Sequence, residues 1–363
     1  MKNKFRSVST FKIAATYIGT VVGAGFASGQ EVLQFFSFFG IYSLPALVLS
    51  GLLFILFGYI IMELGQRLNA KSHLSVIRYS GGPWLGRVID TTITFFLFGA
   101  LSTMAAGAGA IFAEQFGLSS TLGSVVMVAA SLGTVLTGIA GVITAISFVV
   151  PVLLFSVISL SIATLVTNGL DLGMIRGFTQ PFEAPLPFWP FSSIAYASYN
   201  LVLSVAILAP LGRLVTQDNR NTLKKGALYG GIGLAVGVLF INLALLSRPF
   251  EAATFEVPMI FIAGQFSPLI QIGYAVVLLA EIYTTAVANL YGFASRFIDP
   301  DTAAYKWMAI GTAGAAFVTS LFGFSNLVGI LYPAVGVAGI LMLGGLAVGY
   351  FREHWILQPQ GET

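Results

Sequence analysis

The chain has 363 residues, of which 57% are hydrophobic and only 9% charged, with a mean hydropathy of +0.91. Soluble domains carry about 25% charged residues, so this balance excludes a water-soluble enzyme and describes a polytopic membrane protein with little mass outside the bilayer. There is no cysteine, which removes disulfides, thiolate metal sites and cysteine nucleophiles, and the net charge of +3 comes from basic residues spread over loops rather than from a nucleic-acid-binding patch.

The first residues resemble a secretory signal, with Lys2, Lys4 and Arg6 ahead of an apolar run. Lys12 interrupts that run, and apolar sequence resumes beyond Gln30 and Glu31, so the segment reads as a retained span. Ten segments meet the requirement of about 20 apolar residues, at roughly 9–39, 42–65, 85–115, 120–138, 143–167, 189–212, 223–247, 267–295, 304–322 and 324–350. The third and eighth are long enough to be strongly tilted.

The first segment contains YIGTVVGAGFASGQEVLQ over 17–34. Gly23 and Gly25 each weaken a helix by about 1 kcal/mol relative to alanine. Broken backbone in lipid is tolerated only where protein buries it or a cavity lines it, and secondary transporters build their sites at such breaks. The same glycines also suit close helix packing.

Basic residues set the orientation. With the N-terminus inside, 15 of the 17 Lys and Arg fall on the inner side, and only Arg176 and Arg248 fall outside. This split predicts an even number of spans with both termini cytoplasmic, in the inner membrane. The histidines, His73 and His354, lie in charged, loop-like sequence. Two outer loops, at about 168–190 and 248–265, are either plain connectors or caps over a vestibule.

Phe26-Ala27-Ser28-Gly29-Gln30 in span one and Tyr196-Ala197-Ser198-Tyr199-Asn200 in span six share a pattern of aromatic, Ala, Ser, any residue, amide. The match predicts two five-helix halves, about 9–167 and 189–350, inverted with respect to each other within a single membrane domain spanning 1–363.

These motifs resemble the LeuT-fold transporters of the amino acid–polyamine–organocation superfamily, and among them the YkvI-type bacterial membrane proteins. Val22-Gly23-Ala24-Gly25-Phe26 looks like the G-x-G of the first helix. Ile194 to Asn200 looks like the sixth-helix pattern around an unwound small residue, and Glu63-Leu64-Gly65-Gln66-Arg67 looks like the ending of the second helix. The resemblance implies an all-α fold of about ten spans in a 5+5 inverted repeat, with helices one and six discontinuous.

It also implies a sodium site between the first-helix break and span eight. Carried over by position, its ligands are the carbonyls of Gly19, Val22 and Glu281 and the hydroxyls of Thr284 and Thr285, whose i, i+3, i+4 spacing puts them on one helical face. Threonines also bond back to carbonyls of their own helix. Glu281 departs from the small residue usual there; a mid-membrane carboxylate costs at least ~2.5 kcal/mol and is a functional candidate by default, either joining the cation or carrying a proton. Span five has no lysine to replace the cation, and Phe26 stands where a second sodium site needs asparagine, so one sodium and no organic cofactor are expected.

The resemblance places substrate between the breaks of spans one and six. Amides around Gly23, Gly25 and Ala27 would take a carboxylate, and carbonyls of span six an amine. Phe26, Tyr196 and Tyr199 would wall the pocket, Ser28, Ser198 and Asn200 would add hydrogen bonds, and Phe98 and Met104 of span three are further candidates. Glu63 is expected to tie down the break in span six or to be an interfacial partner of Arg67, and Glu31 to face an outer vestibule. The function implied is sodium-coupled symport of an amino acid or similar small zwitterionic or neutral solute by alternating access. Proton coupling through Glu281 is the alternative, and a non-transporting sensor or structural subunit is the reading of another class. Neither nucleic acid nor a catalytic residue is expected; the partners are substrate and membrane lipid.

Overall fold

The structure, a computed structural model, describes residues 9–70, 73–137, 149–178, 184–215, 220–298 and 302–356. Lys2, Lys4, Arg6 and Lys71, the start of the fifth expected span, and part of the first outer loop lie outside the described residues. Everything regular among the described residues is helical. Six helical segments among the described residues are individually long and apolar enough to cross a membrane.

The first span is divided into three pieces. Helix α1 (Thr10–Val21) stops at Val22 and Gly23, both extended, with Val22 at ψ 118° and Gly23 at φ −141° and ψ −171°. Helix α2 (Ala24–Ser28) follows, then Gly29 at φ 81°, then α3 (Gln30–Phe35). A 3-10 turn over Ser37–Tyr42 leads into α4 (Ser43–Arg67). The long α5 (His73–Phe116), α6 (Ser120–Leu136), α7 (Val149–Asn168) and the short α8 (Leu172–Gly177) complete the first part of the chain. The second part holds α9 (Trp189–Arg213), α10 (Arg220–Leu246), the short helices α11 (Pro249–Ala252) and α12 (Pro258–Gly264), α13 (Pro268–Phe297), α14 (Ala303–Ser320) and α15 (Phe324–Ile356).

The expected break in span six is absent: α9 runs unbroken through Tyr196 to Asn200. The reason lies in its composition. No glycine or proline falls between Phe191 and Ala209, so nothing removes an i→i−4 bond or relaxes the backbone. Pro190 sits at its first turn, where its missing N–H costs nothing.

Two bundles emerge from the packing. In one, α4 packs against α9 and α10, and α1 lies on α10 and α9. In the other, α5 packs with α6, α13 and α14. Helix α15 bridges them, lying on α5 and α9. The first bundle is tight because its backbones touch: a Cβ at Gly65 would run into the Ala209 carbonyl, and one at Gly212 into the Met62 carbonyl. Tyr17, fully buried, donates from its hydroxyl to the Phe54 carbonyl at 2.7 Å and fastens α1 to α4.

Outside, α4 exposes Leu44, Val48, Leu52 and Leu56, a four-residue spacing that makes one apolar stripe. In water such a stripe is a liability; in hydrocarbon it is the natural outer surface.

A leucine at Gly65 would push α4 off α9. Overpacking of this kind costs about 1–3 kcal/mol, so Gly65→Leu is expected to lower the melting temperature of the detergent-solubilised protein. An unchanged melting temperature would mean that the two backbones do not touch.

Candidate functional site

Where α1 ends, the carbonyls of Gly19 to Val22 lose the amides four residues on that a continuing helix would supply; only the Val22 N–H turns back, to Ile18 at 2.9 Å. These residues border a cavity of about 520 Å³ between the two bundles. The volume falls within the roughly 300–1,000 Å³ of small-molecule sites.

Gly19 and Val22 from the end of α1, and Glu281, Thr284 and Thr285 from α13, all line this cavity. The hydroxyl of Thr284 donates to the Glu281 carbonyl at 3.0 Å, and that of Thr285 lies 3.5 Å from Glu281 Oε1. Glu281 is 3% exposed, and its Oε2 has no hydrogen-bond partner among the described residues. Five oxygen-bearing residues therefore converge on one space, with an unsatisfied carboxylate oxygen among them. That donor set suits a hard monovalent cation such as sodium.

The expected substrate residues divide. Gly23, Gly25, Tyr199 and Asn200 border the cavity, as does Met104 of α5. The others are engaged elsewhere. The Phe26 ring packs against Gly237 of α10. Ala27 gives its N–H to the Gly23 carbonyl at 3.0 Å and accepts the Tyr274 hydroxyl at 2.6 Å, so its amide is not free for a substrate. Ser28 donates to the Gly25 carbonyl at 2.9 Å. Tyr196 is enclosed by Phe35, Phe36 and Phe54. Ser198 donates to the Gly336 carbonyl of α15. Around Tyr196 to Asn200 the unbroken α9 keeps helical geometry, so the backbone there is not freed as it is at the end of α1.

Phe98 is packed on Phe293, with ring centres 5.7 Å apart, and does not border the cavity. Its neighbour one half-turn back, Phe96, does, together with Tyr332 of α15. The rings of Tyr199 and Tyr332 are stacked at 5.3 Å, and Phe96 lies 5.3 Å from Tyr332, making an aromatic wall. Sequence offered no signal for these two residues, since an aromatic on an apolar helix looks alike whether it faces lipid, packing or a cavity.

Glu31 does not face an outer vestibule. It is 6% exposed, borders the cavity, and accepts a hydrogen bond from the Tyr199 hydroxyl. Its carboxylate lies over the Gly25 Cα, where a Cβ would collide with it. Gly29 explains the difference: a left-handed residue before α3 resets the helical phase and turns Glu31 inward.

Glu63 ties down no break in α9, since there is none. It is fully buried, and its Oε1 accepts from Arg67 Nε at 3.0 Å and Nη2 at 2.7 Å and pairs with Arg220 of α10. It is an interfacial ion pair that joins α4 to the start of α10.

One end of the cavity reaches Asn289, Gly292 and Arg296 on α13, with Arg296 bonded to Asp90 Oδ1 at 2.7 Å. Beyond Glu31, α3 and the segment before α12 are tied to the start of α15. Gln30 Nε2 donates to Ser325 Oγ at 2.6 Å, and Gln34 Nε2 to the Ser325 carbonyl at 3.0 Å. Glu256 Oε2 accepts the Phe324 amide at 2.9 Å, while Glu114 accepts the amides of Glu256 and Val257.

A split first span, paired bundles and a central cavity define a class: an all-helical membrane protein of transporter fold. Solved structures with this fold include MhsT in complex with L-phenylalanine (TM-score 0.61, 17% identity, 91% of this chain and 87% of that one). Mhp1 in an inward-facing conformation matches at TM-score 0.59 and 15% identity, over 99% and 79% of the two chains. The Eremococcus coleocola manganese transporter, in complex with an aromatic bis-isothiourea substituted compound, matches at TM-score 0.56 and 15% identity, over 93% and 77%. At these identities the likeness is one of fold. No protein-family model matches the chain. The membrane protein YkvI of Bacillus subtilis (strain 168) is 31% identical over 339 residues, covering 93% of this chain and 95% of YkvI. YyaD of the same strain is 29% identical over 346 residues, covering 93% and 96%. The chain belongs to the YkvI family.

Removing Glu63 would leave two guanidinium groups facing each other. Glu63→Ala is expected to cost about 1–3 kcal/mol, less than the roughly 3–5 of a wholly buried pair because Arg67 and Arg220 keep some contact with water. Denaturation of the purified protein measures it; a stability equal to that of the parent contradicts the pairing.

Proposed function

We propose that the chain is a secondary active transporter, a sodium-coupled symporter of an amino acid or similar small organic solute working by alternating access. The observation that carries the reading is the cavity at the Val22–Gly23 break, bordered by both bundles and by the Glu281, Thr284 and Thr285 cluster. A cation held by the carbonyls of Gly19, Val22 and Glu281 and the hydroxyls of Thr284 and Thr285 would supply a positive charge joining the first bundle to the second. Its gradient would then bias which side the cavity faces.

The reading includes ten spans, counting the divided first one and three shorter helices, with two inverted halves at about 9–167 and 189–350. It includes an inner-membrane location with both termini cytoplasmic, on the distribution of basic residues. In that orientation Arg296 marks the inner side, so the cavity opens inward and the contacts of Gln30, Gln34 and Ser325 close it outward. Rocking of α1, α4, α9 and α10 against α5, α6, α13 and α14 would exchange the two openings.

Proton coupling at Glu281 is the second reading, favoured by the unpartnered, buried Oε2. Uptake into proteoliposomes separates the two. At fixed pH an inward sodium gradient is expected to stimulate uptake by at least about tenfold, and Thr285→Ala to abolish that stimulation. Uptake indifferent to sodium but driven by an acid outside overturns sodium coupling in favour of the proton.

A further inference from the structure

Glu31 stands in the cavity without a cation of its own. Among the described residues no Lys, Arg or His side chain pairs with it; its partner is the neutral Tyr199 hydroxyl. The basic residue bordering the same cavity, Arg296, is taken by Asp90. An isolated buried carboxylate is costly, and an incoming positive charge offsets that cost.

The position of Glu31 also decides what cannot bind. Its carboxylate lies against the Gly25 Cα, over the start of α2. A substrate carboxylate directed at those amides would meet a space already occupied by the oxygens of Glu31. Beside Glu31 are the rings of Tyr199 and Tyr332, stacked at 5.3 Å, and Phe96, 6.3 Å from Tyr199. A carboxylate flanked by aromatic rings is the arrangement that recognises an organic ammonium, by charge pairing and by cation–π attraction.

We infer that the transported solute is a small organic amine without a carboxylate, its ammonium paired with Glu31 and its apolar part against Phe96, Tyr199 and Tyr332. The inference rests on the reading of this cavity as the transport site and sharpens it. Two buried carboxylates border the cavity, and two monovalent cations answer them: sodium at Glu281 and the substrate ammonium at Glu31.

The test uses the purified full-length chain and matched pairs of amino acid and decarboxylated amine: L-phenylalanine with phenethylamine, L-leucine with isoamylamine, and L-tyrosine with tyramine. Affinity is read from the ligand-dependent shift in melting temperature, with and without sodium. In at least one pair the amine is expected to bind at least about tenfold more tightly than its amino acid, and Glu31→Gln to weaken amine binding by at least about tenfold while the response to sodium remains. Glu31→Asp, which keeps the charge, is expected to recover part of the loss. Equal or tighter binding of the amino acid in every pair overturns the inference, as does amine affinity unchanged within about twofold in Glu31→Gln. A wild-type protein that responds to sodium but to no amine overturns it while leaving cation-coupled transport standing. No response to sodium or to any solute overturns both. The wild-type comparison decides the matter even if Glu31→Gln does not fold.

Discussion

A backbone carbonyl or amide stripped of its partner inside hydrocarbon costs several kcal/mol, roughly 2–7 by transfer scales. The first span nevertheless leaves helical geometry at Val22 and Gly23, within an apolar segment. The rest of the molecule answers that constraint. Tyr17 fixes α1 one turn before the break, and the glycine contacts between α4 and α9 hold the bundle on which α1 lies. Helix α13 sets Glu281, Thr284 and Thr285 around the same cavity as the freed carbonyls. The break is tolerable because polar groups and space are delivered to it.

The resulting site is asymmetric. Of the two breaks expected, only the α1–α2 junction is present, because α9 is continuous through Tyr199 and Asn200. The ends of the cavity are unlike too. Amide side chains of α3 tie, and Glu256 caps, the start of α15, whereas the cavity reaches along α13 to the partly exposed Arg296–Asp90 pair.

Features that depend on local chemistry were legible in the sequence. The break could be read because Gly23 and Gly25 sit where a span should be uniform, and the shared face of Glu281, Thr284 and Thr285 because i, i+3, i+4 spacing on an intact helix fixes it. The two-bundle arrangement followed once the family resemblance was recognised. Features that depend on phase across a break were not legible. Glu31 looked like an outward residue because its direction depends on Gly29 at φ 81°, which no helical count anticipates. Span six misled in the opposite way. The Tyr196–Asn200 pattern resembled a broken helix, but the physical cause of a break, a glycine or proline, was missing from it. Phe96 and Tyr332 were invisible because ring position depends on helix rotation, not on composition.

The central claim is that the space at the first-helix break opens alternately to the two sides of the membrane. The chain has no native cysteine, so a single Ala288→Cys variant places one thiol on the cavity wall. Its labelling by a membrane-impermeant maleimide, applied from either side of oriented membranes with and without sodium, measures the exposure directly. The account predicts labelling from the cytoplasmic side without sodium and a shift toward outer labelling when sodium is present. Labelling from one side only, at a rate unaffected by sodium or by any transported amine, would contradict it.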